Sequence, residues 1–243
     1  MTSGDADTRG GPAGPARQGT RHPAGRNGPP PPATAHGKDG GTVAITEPTA
    51  ERTTEHPGRT PEYPDYTVPG LSTEDGARVI ALLASRLHAL NDLSLTLKHI
   101  HWNVVGPHFI AVHEMLDPQT ESVREMADAV AERISALGGV PWGTPGTLVA
   151  ERDWQDYSVG RADAIAHLGA LDLVLTGIVE DHRRARAEVA SLDPVTEDLL
   201  LEQLRALEKF QWFVRAHLES CRGALSTAGA RTEQQAAQEA ATR

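Results

Sequence analysis

Leu83, Leu87, Leu90, Ser94, Leu97 and His101 follow one another at steps of 4, 3, 4, 3 and 4 residues. That spacing returns every side chain to one face of an α-helix and scatters them over both faces of a strand. Ser72 and Asp75 form a capping-box-like start for this helix, which runs towards Asn103. The same period recurs three times. After the break Val105-Gly106-Pro107, a second helix extends from about Phe109 to Leu137, with Val123, Ala127, Val130, Ile134 and Leu137 as its apolar stripe, and stops at Gly138-Gly139. A third covers about Val159 to Leu192, turning Ile165, Leu168, Leu175 and Val179 inward. Asp193 then reads as an N-cap and Pro194 as the first residue of a fourth helix, which carries Leu200, Leu204, Leu207, Val214 and Leu218 and runs to about Leu225. Pro141 to Tyr157 is a long Gly-, Pro- and Trp-rich connection, with a short helix expected around Leu148 to Arg152. No strand-like alternation competes, so the expected fold is all-α, a four-helix bundle with one long connection between its second and third helices.

Composition bounds the rest. Between Thr2 and Thr42 there is no Val, Leu, Ile, Phe, Tyr or Trp, and 17 positions are Gly or Pro. Such a segment cannot bury enough apolar surface to offset chain entropy. Residues 1–67 are therefore expected to be a disordered tail and linker, 68–225 the bundle, and 226–243 a polar, neutral C-terminal tail without a large apolar residue. The formal net charge of −10 speaks against a strongly basic nucleic-acid binder. Cys221 stands alone and cannot form an intramolecular disulfide, which fits a reducing compartment. The absence of a long apolar run or a signal-peptide pattern points to a cytoplasmic protein with no membrane partner.

A second stripe on the second helix carries the chemistry. His113, Asp117, Asp128 and Glu132 lie at about 0°, 40°, 60° and 100° around the helix and share one face. Each i, i+4 pair can converge on one cation. Asp117 and Asp128 are, however, about 16 Å apart along the axis, far beyond the reach of a common metal with bonds of about 2.0–2.2 Å. One helix cannot close the site, but a second copy can. The pairs 113/132 and 117/128 share the midpoint 122.5. In two copies packed antiparallel about a dyad there, His113 faces the other copy's Glu132, and Asp117 its Asp128. Two equivalent sites result, roughly 22 Å apart. His101, at the end of the core-facing seam, is placed to add a second imidazole. Two imidazoles with carboxylates and no thiolate suit iron or manganese better than softer metals, and so few fixed ligands leave open positions for water, dioxygen or peroxide. Trp102 beside His101 is an oxidisable ring. Alternative readings are weaker: Glu121 and Arg124 on the same side would make it an ordinary solvated face, and H-E-M-L-D at 113–117 resembles a zinc-protease helix that lacks its second His and a third ligand. No Glu-x-x-His pair for a di-iron centre within one bundle occurs.

The segments 97–117 (LKHIHWNVVGPHFIAVHEMLD), 128–133 (DAVAER) and 208–213 (EKFQWF) closely resemble the Dps proteins, DNA-binding proteins from starved cells, in the ferritin-like superfamily, and the likeness looks closest to actinobacterial members. The resemblance spans about Val68 to Leu225. It implies a shell of twelve four-helix subunits that oxidises ferrous iron, usually with hydrogen peroxide in preference to dioxygen, and stores the ferric mineral. It maps metal ligands onto His101, His113 and Asp117 of one subunit and Asp128 and Glu132 of its two-fold mate, with Trp102 as the tryptophan beside the site. Glu197 and Asp198 match the region lining the three-fold pore. Family members that bind DNA do so through lysine-rich tails. Here the first 41 residues carry only Arg9, Arg17, Arg21, Arg26 and Lys38 against three acids, so weak or absent DNA binding is expected. The competing expectation is a nucleoid-compacting structural protein with a vestigial metal site.

Overall fold

The computed structural model describes residues 65–242. The expected disordered extension lies outside the described residues except for Asp65, Tyr66 and Thr67, as do the basic residues of the first 41 positions. Four long helices dominate: α1 (Thr73–Asn103), α2 (Phe109–Ala136), α4 (Ala164–Val189) and α5 (Pro194–Leu218), with a short α3 (Pro145–Glu151) between α2 and α4. Local signals set the ends. Ser72 accepts from the Asp75 amide at 3.0 Å at the start of α1, and Asp193 accepts from the amides of Val195 and Thr196 at the start of α5, with Pro194 behind it. Gly138 terminates α2 in the left-handed region (φ 88°), where the Gly138 and Gly139 amides close back on Ser135 and Ile134. Pro118 sits inside α2 without ending it. It faces solvent, as does Glu114, whose carbonyl loses its amide partner and can be hydrated.

The inward stripes meet in one core. Leu83, Leu90, Val123, Val130, Ile134, Leu168, Leu200, Leu207 and Val214 are fully buried, and Ser94 and His101 complete the α1 seam at 8% exposure each. Ile165 is only partly buried against this core. α1 packs on α2 and α4 on α5, each pair joined by a short turn, while the connection from α2 to α4 travels back along the bundle. It ends beside the α1–α2 turn, where β1 (Val104–Val105) and β2 (Ala162–Asp163) pair in parallel, Val104 opposite Ala162. This crossover makes α2 and α4 run the same way.

Three boundaries differ from expectation for identifiable reasons. The third long helix begins at Ala164, because Ala162 and Asp163 are taken up in β2 and the Asp163 side chain caps the helix. Two-residue strands carry no alternation from which they could be foreseen. α5 ends at Leu218, where Glu219 and Leu225 form a bridge across a tight turn. The stretch read as a polar tail contains a further helix, α6 (Glu233–Ala241), packed on α4. Alanines do the packing: Ala236, Ala237 and Ala240 are buried. Gly169 permits the approach, since a Cβ there would lie 2.6 Å from the Ala236 carbonyl oxygen and 2.7 Å from Ala240 Cβ. No helix among the described residues is long and apolar enough to cross a membrane.

Candidate metal centre

The end of α1 and the start of α2 bring two imidazoles together. The His101 and His113 rings stack with centroids 3.6 Å apart and planes at 24°. Each ring reaches the other residue's main chain. His101 Nδ1 lies 3.1 Å from the His113 carbonyl oxygen, and His113 Nδ1 lies 3.0 Å from that of His101. A carbonyl only accepts, so both Nδ1 atoms carry the proton and both Nε2 atoms keep a free lone pair, the tautomer a metal ligand needs. The His101 carbonyl belongs to the last turn of α1, so the His113 ring also caps that helix end. The pairing of β1 with β2 fixes the intervening turn, and Phe109 packs against the His113 ring at 4.9 Å between centroids. His101 is buried and His113 half-buried.

Asp117, one turn beyond His113, completes this cluster. Its Oδ1 lies 3.2 Å from His101 Nδ1 and 2.9 Å from Lys98 Nζ. The Lys98 hydrogen bond holds the Asp117 carboxyl below the usual carboxylate range, with further help from the positive charge of Lys98 and, in acid where the rings are protonated, from His101 and His113. Lys98 is the residue sequence reasoning missed. Its position three before His101 and four before Trp102 was a usable signal, because those spacings share a helix face. Lys98 Nζ stands 5.8 Å from the centre of the Trp102 ring, which is 72% exposed.

Asp128 and Glu132 do not join this cluster; both lie exposed further along α2. Among the described residues no three His, Cys, Asp or Glu side chains converge as a metal cage. His101, His113 and Asp117 are neighbours in one protomer without forming a closed cage, and Asp128 and Glu132 stand apart from them. At the start of α5, Glu197 is tied to Arg186, while Asp198 is exposed.

Residues 80–224 match the ferritin-like domain family. The DNA protection during starvation protein of Mycolicibacterium smegmatis is 55% identical over 175 residues, which span 72% of this chain and 96% of that protein. The chain belongs to the Dps family. Among solved structures, DpsA14 from Streptomyces coelicolor is 71% identical and covers 67% of this chain and 97% of its own, with a TM-score of 0.67. A relative of different name, the fine tangled pili major subunit of Haemophilus ducreyi, is 50% identical to this Dps protein over 159 residues, 65% of this chain and 84% of that one. Family membership therefore fixes the ferritin-like fold, while the chemistry of this Dps protein has to be argued from its own side chains.

Proposed function

We propose that this Dps protein oxidises ferrous iron at sites shared between two subunits, with hydrogen peroxide preferred to dioxygen, and stores the ferric product as mineral inside a dodecameric shell. It thereby serves cytoplasmic iron homeostasis and protects against oxidative stress. The observation that carries this reading is the reciprocal lock of His101 and His113, which frees the Nε2 lone pair of each ring, with the Asp117 carboxylate 3.2 Å from His101 Nδ1. Nitrogen and carboxylate donors without thiolate suit ferrous and ferric iron. Asp128 and Glu132 of a two-fold mate supply the missing oxygens, and Trp102 takes up a stray oxidising equivalent. The protomer's residues bind and orient the iron, and Lys98 yields Asp117 as iron arrives. Two ferrous ions each give one electron to a peroxide, the O–O bond breaks, and two protons complete two waters. No hydroxyl radical is released. Twelve acidic chains draw ferrous ions inward, with Glu197 and Asp198 as the pore residues of this reading; the Arg186 contact makes Asp198 the stronger attractor.

Anaerobic ferrous titration followed by stopped peroxide addition tests the proposal. The expected result is rapid oxidation at about two irons per peroxide. Oxidation no faster than that of free ferrous iron overturns it. The second reading, a nucleoid-compacting protein with a vestigial site, is favoured by the names of the DNA protection relatives. It requires a mobility shift of DNA by sub-micromolar shell at about 150 mM salt, together with absent ferroxidation.

A further inference from the structure

The turn of α1 that carries His101 and Trp102 is knitted, on its other side, to the end of the connection from α2 and to the start of α4. His99 Nε2 donates to the Val159 carbonyl oxygen at 2.9 Å, and its ring meets that of Tyr157 edge-on, with centroids 5.6 Å apart. Val104 pairs with Ala162 just beyond. Tyr157 then faces His167, in the first turn of α4: the planes lie at 14°, and the phenol oxygen is 3.0 Å from His167 Nδ1.

The rest of the His167 ring decides which partner holds the proton of that contact. The main-chain carbonyls of Asn103 and Gly160 favour a proton on the ring. With Nδ1 taken by Tyr157, they act on Nε2, which is buried short of a full hydrogen bond among the described residues. A bare lone pair there would be repelled by carbonyl oxygens. Nε2 therefore carries the resting proton, and Tyr157 donates to a bare Nδ1. Burial, and then the charge of Glu233, push the Tyr157 phenol well above its ordinary value, so it does not ionise by itself. Burial also holds His167 low, which keeps the ring neutral at rest. A phenol that has lost an electron is a strong acid, however, and protonates even so weak a base. The pair thus joins the two parts that one-electron oxidation of a tyrosine requires, an electron-rich ring and an acceptor already bonded to its proton.

We propose that Tyr157 is a one-electron relay with His167 as its proton acceptor. For its oxidant this rests on the iron chemistry proposed above. His99 and His101 are two residues apart and point to opposite sides of α1, so the Tyr157 ring stands across the helix from the metal ligands, roughly 10–12 Å away, a span that an electron crosses by tunnelling. When a site holds a single ferrous ion, that ion supplies one of the two electrons that hydrogen peroxide needs, and Tyr157 supplies the other. The O–O bond breaks, the iron ends ferric, two solvent protons complete two waters, and Tyr157 is left as a neutral phenoxyl with its proton on His167. A second ferrous ion returns the electron, and His167 returns the proton. An indole radical also oxidises a phenol, so Trp102 and Tyr157 act in series.

The chain has three tyrosines, Tyr63, Tyr66 and Tyr157. In the full chain carrying Tyr63→Phe and Tyr66→Phe, every tyrosyl signal therefore belongs to Tyr157. Pulse radiolysis of this variant without iron, using azide radical to oxidise tryptophan, tests the pair directly. The tryptophan radical band should decay into a tyrosyl band, more slowly in heavy water, and adding His167→Gln should slow that step about a hundredfold. A tyrosyl band that never forms, or one indifferent to both heavy water and His167→Gln, overturns the relay and reduces the hydroxyl to a tie between the connection and α4. Rapid-freeze EPR, after peroxide meets one ferrous ion per subunit, then looks for the relay in the reaction: a tyrosyl signal is expected, and Tyr157→Phe should remove it. Rapid iron oxidation without that signal overturns the relay and leaves the ferroxidase reading standing. Absent iron oxidation overturns that reading instead, and the iron-free measurement still decides whether Tyr157 and His167 are a redox pair.

Discussion

Imidazoles occupy two contrasting regions of this molecule. At the end of the bundle, His101 and His113 are locked face to face by each other's carbonyls, with Asp117 and Lys98 alongside. In the interior, His182 is fully buried between α4 and α5 and meets Gln203 Oε1 at 3.2 Å, and His167 is fully buried and meets the Tyr157 hydroxyl at 3.0 Å. Burial, and then the charge of Arg86, push His182 down to about 4, and burial likewise lowers His167. The first pair is oriented by hydrogen bonds and keeps its Nε2 lone pairs; the second is silenced by desolvation. The contrast teaches that two rings orienting one another beside a carboxylate, more than the presence of histidine on an inward seam, mark a donor site.

The largest expected effect breaks the first region alone. His113→Ala combined with Asp117→Ala should reduce peroxide-driven ferrous oxidation to background in stopped-flow measurements while the shell elutes at its normal size; unchanged kinetics would remove the site assignment. Asp128→Asn with Glu132→Gln should do the same, although these residues lie elsewhere on α2. Mixing the two variants then sharpens the picture. In a hybrid pair one site holds both defects and the other holds none, so random assembly should restore about a quarter of the sites. Co-refolded mixtures with no recovery would place each site within one subunit.

Much of this was legible in residue spacing. The seam from Leu83 to His101 identified the buried face of α1, and the i, i+4 spacing put His113 and Asp117 on one face of α2, beside the end of α1; the shared midpoint of 113/132 and 117/128 belongs to the proposed two-subunit site. Lys98 was legible only as sharing a face with His101 and Trp102; its bond to Asp117 was not, because a lysine beside a core seam reads as a solvated charge until that distance is known. Nor was α6: a run of Ala, Gln and Glu has no large apolar stripe, and its docking depends on the missing Cβ of Gly169, which only the packed α4 surface reveals. The pairing of β1 with β2 escaped for the same reason, being a tertiary contact with no local pattern.

The interior region gives a smaller effect of opposite kind. His182 is neutral when folded and titrates near its ordinary value of 6.5 when unfolded. The unfolded chain therefore binds more protons as pH falls from about 6.5 to about 4. Stability is complete above this window and declines within it, by about 3 kcal/mol per protomer at its lower end. His182→Gln keeps a donor for Gln203 and has nothing to titrate. Its urea midpoint should fall less between pH 7 and pH 5 than that of the wild type, with ferroxidation at pH 7 unaltered. An identical decline would show that His182 does not set the acid limit.

The smallest predicted effect tests the boundary between the two regions, where a charge other than a metal occupies the donor cluster. Lys98 donates to Asp117 at 2.9 Å, so ferrous iron must displace an ammonium before it gains that carboxylate. The pair is solvent-exposed on the Asp117 side, and exposed pairs are weak. Lys98→Met retains the aliphatic stem against Trp102 and removes the competitor. Half-saturation by ferrous iron at pH 7 should then fall about two- to fivefold, with little change in the rate at saturation, because the ligands themselves are untouched. Weaker iron binding in Lys98→Met would mean instead that the lysine holds Asp117 in its ligating position, making the ammonium part of the scaffold and not a placeholder for the ion.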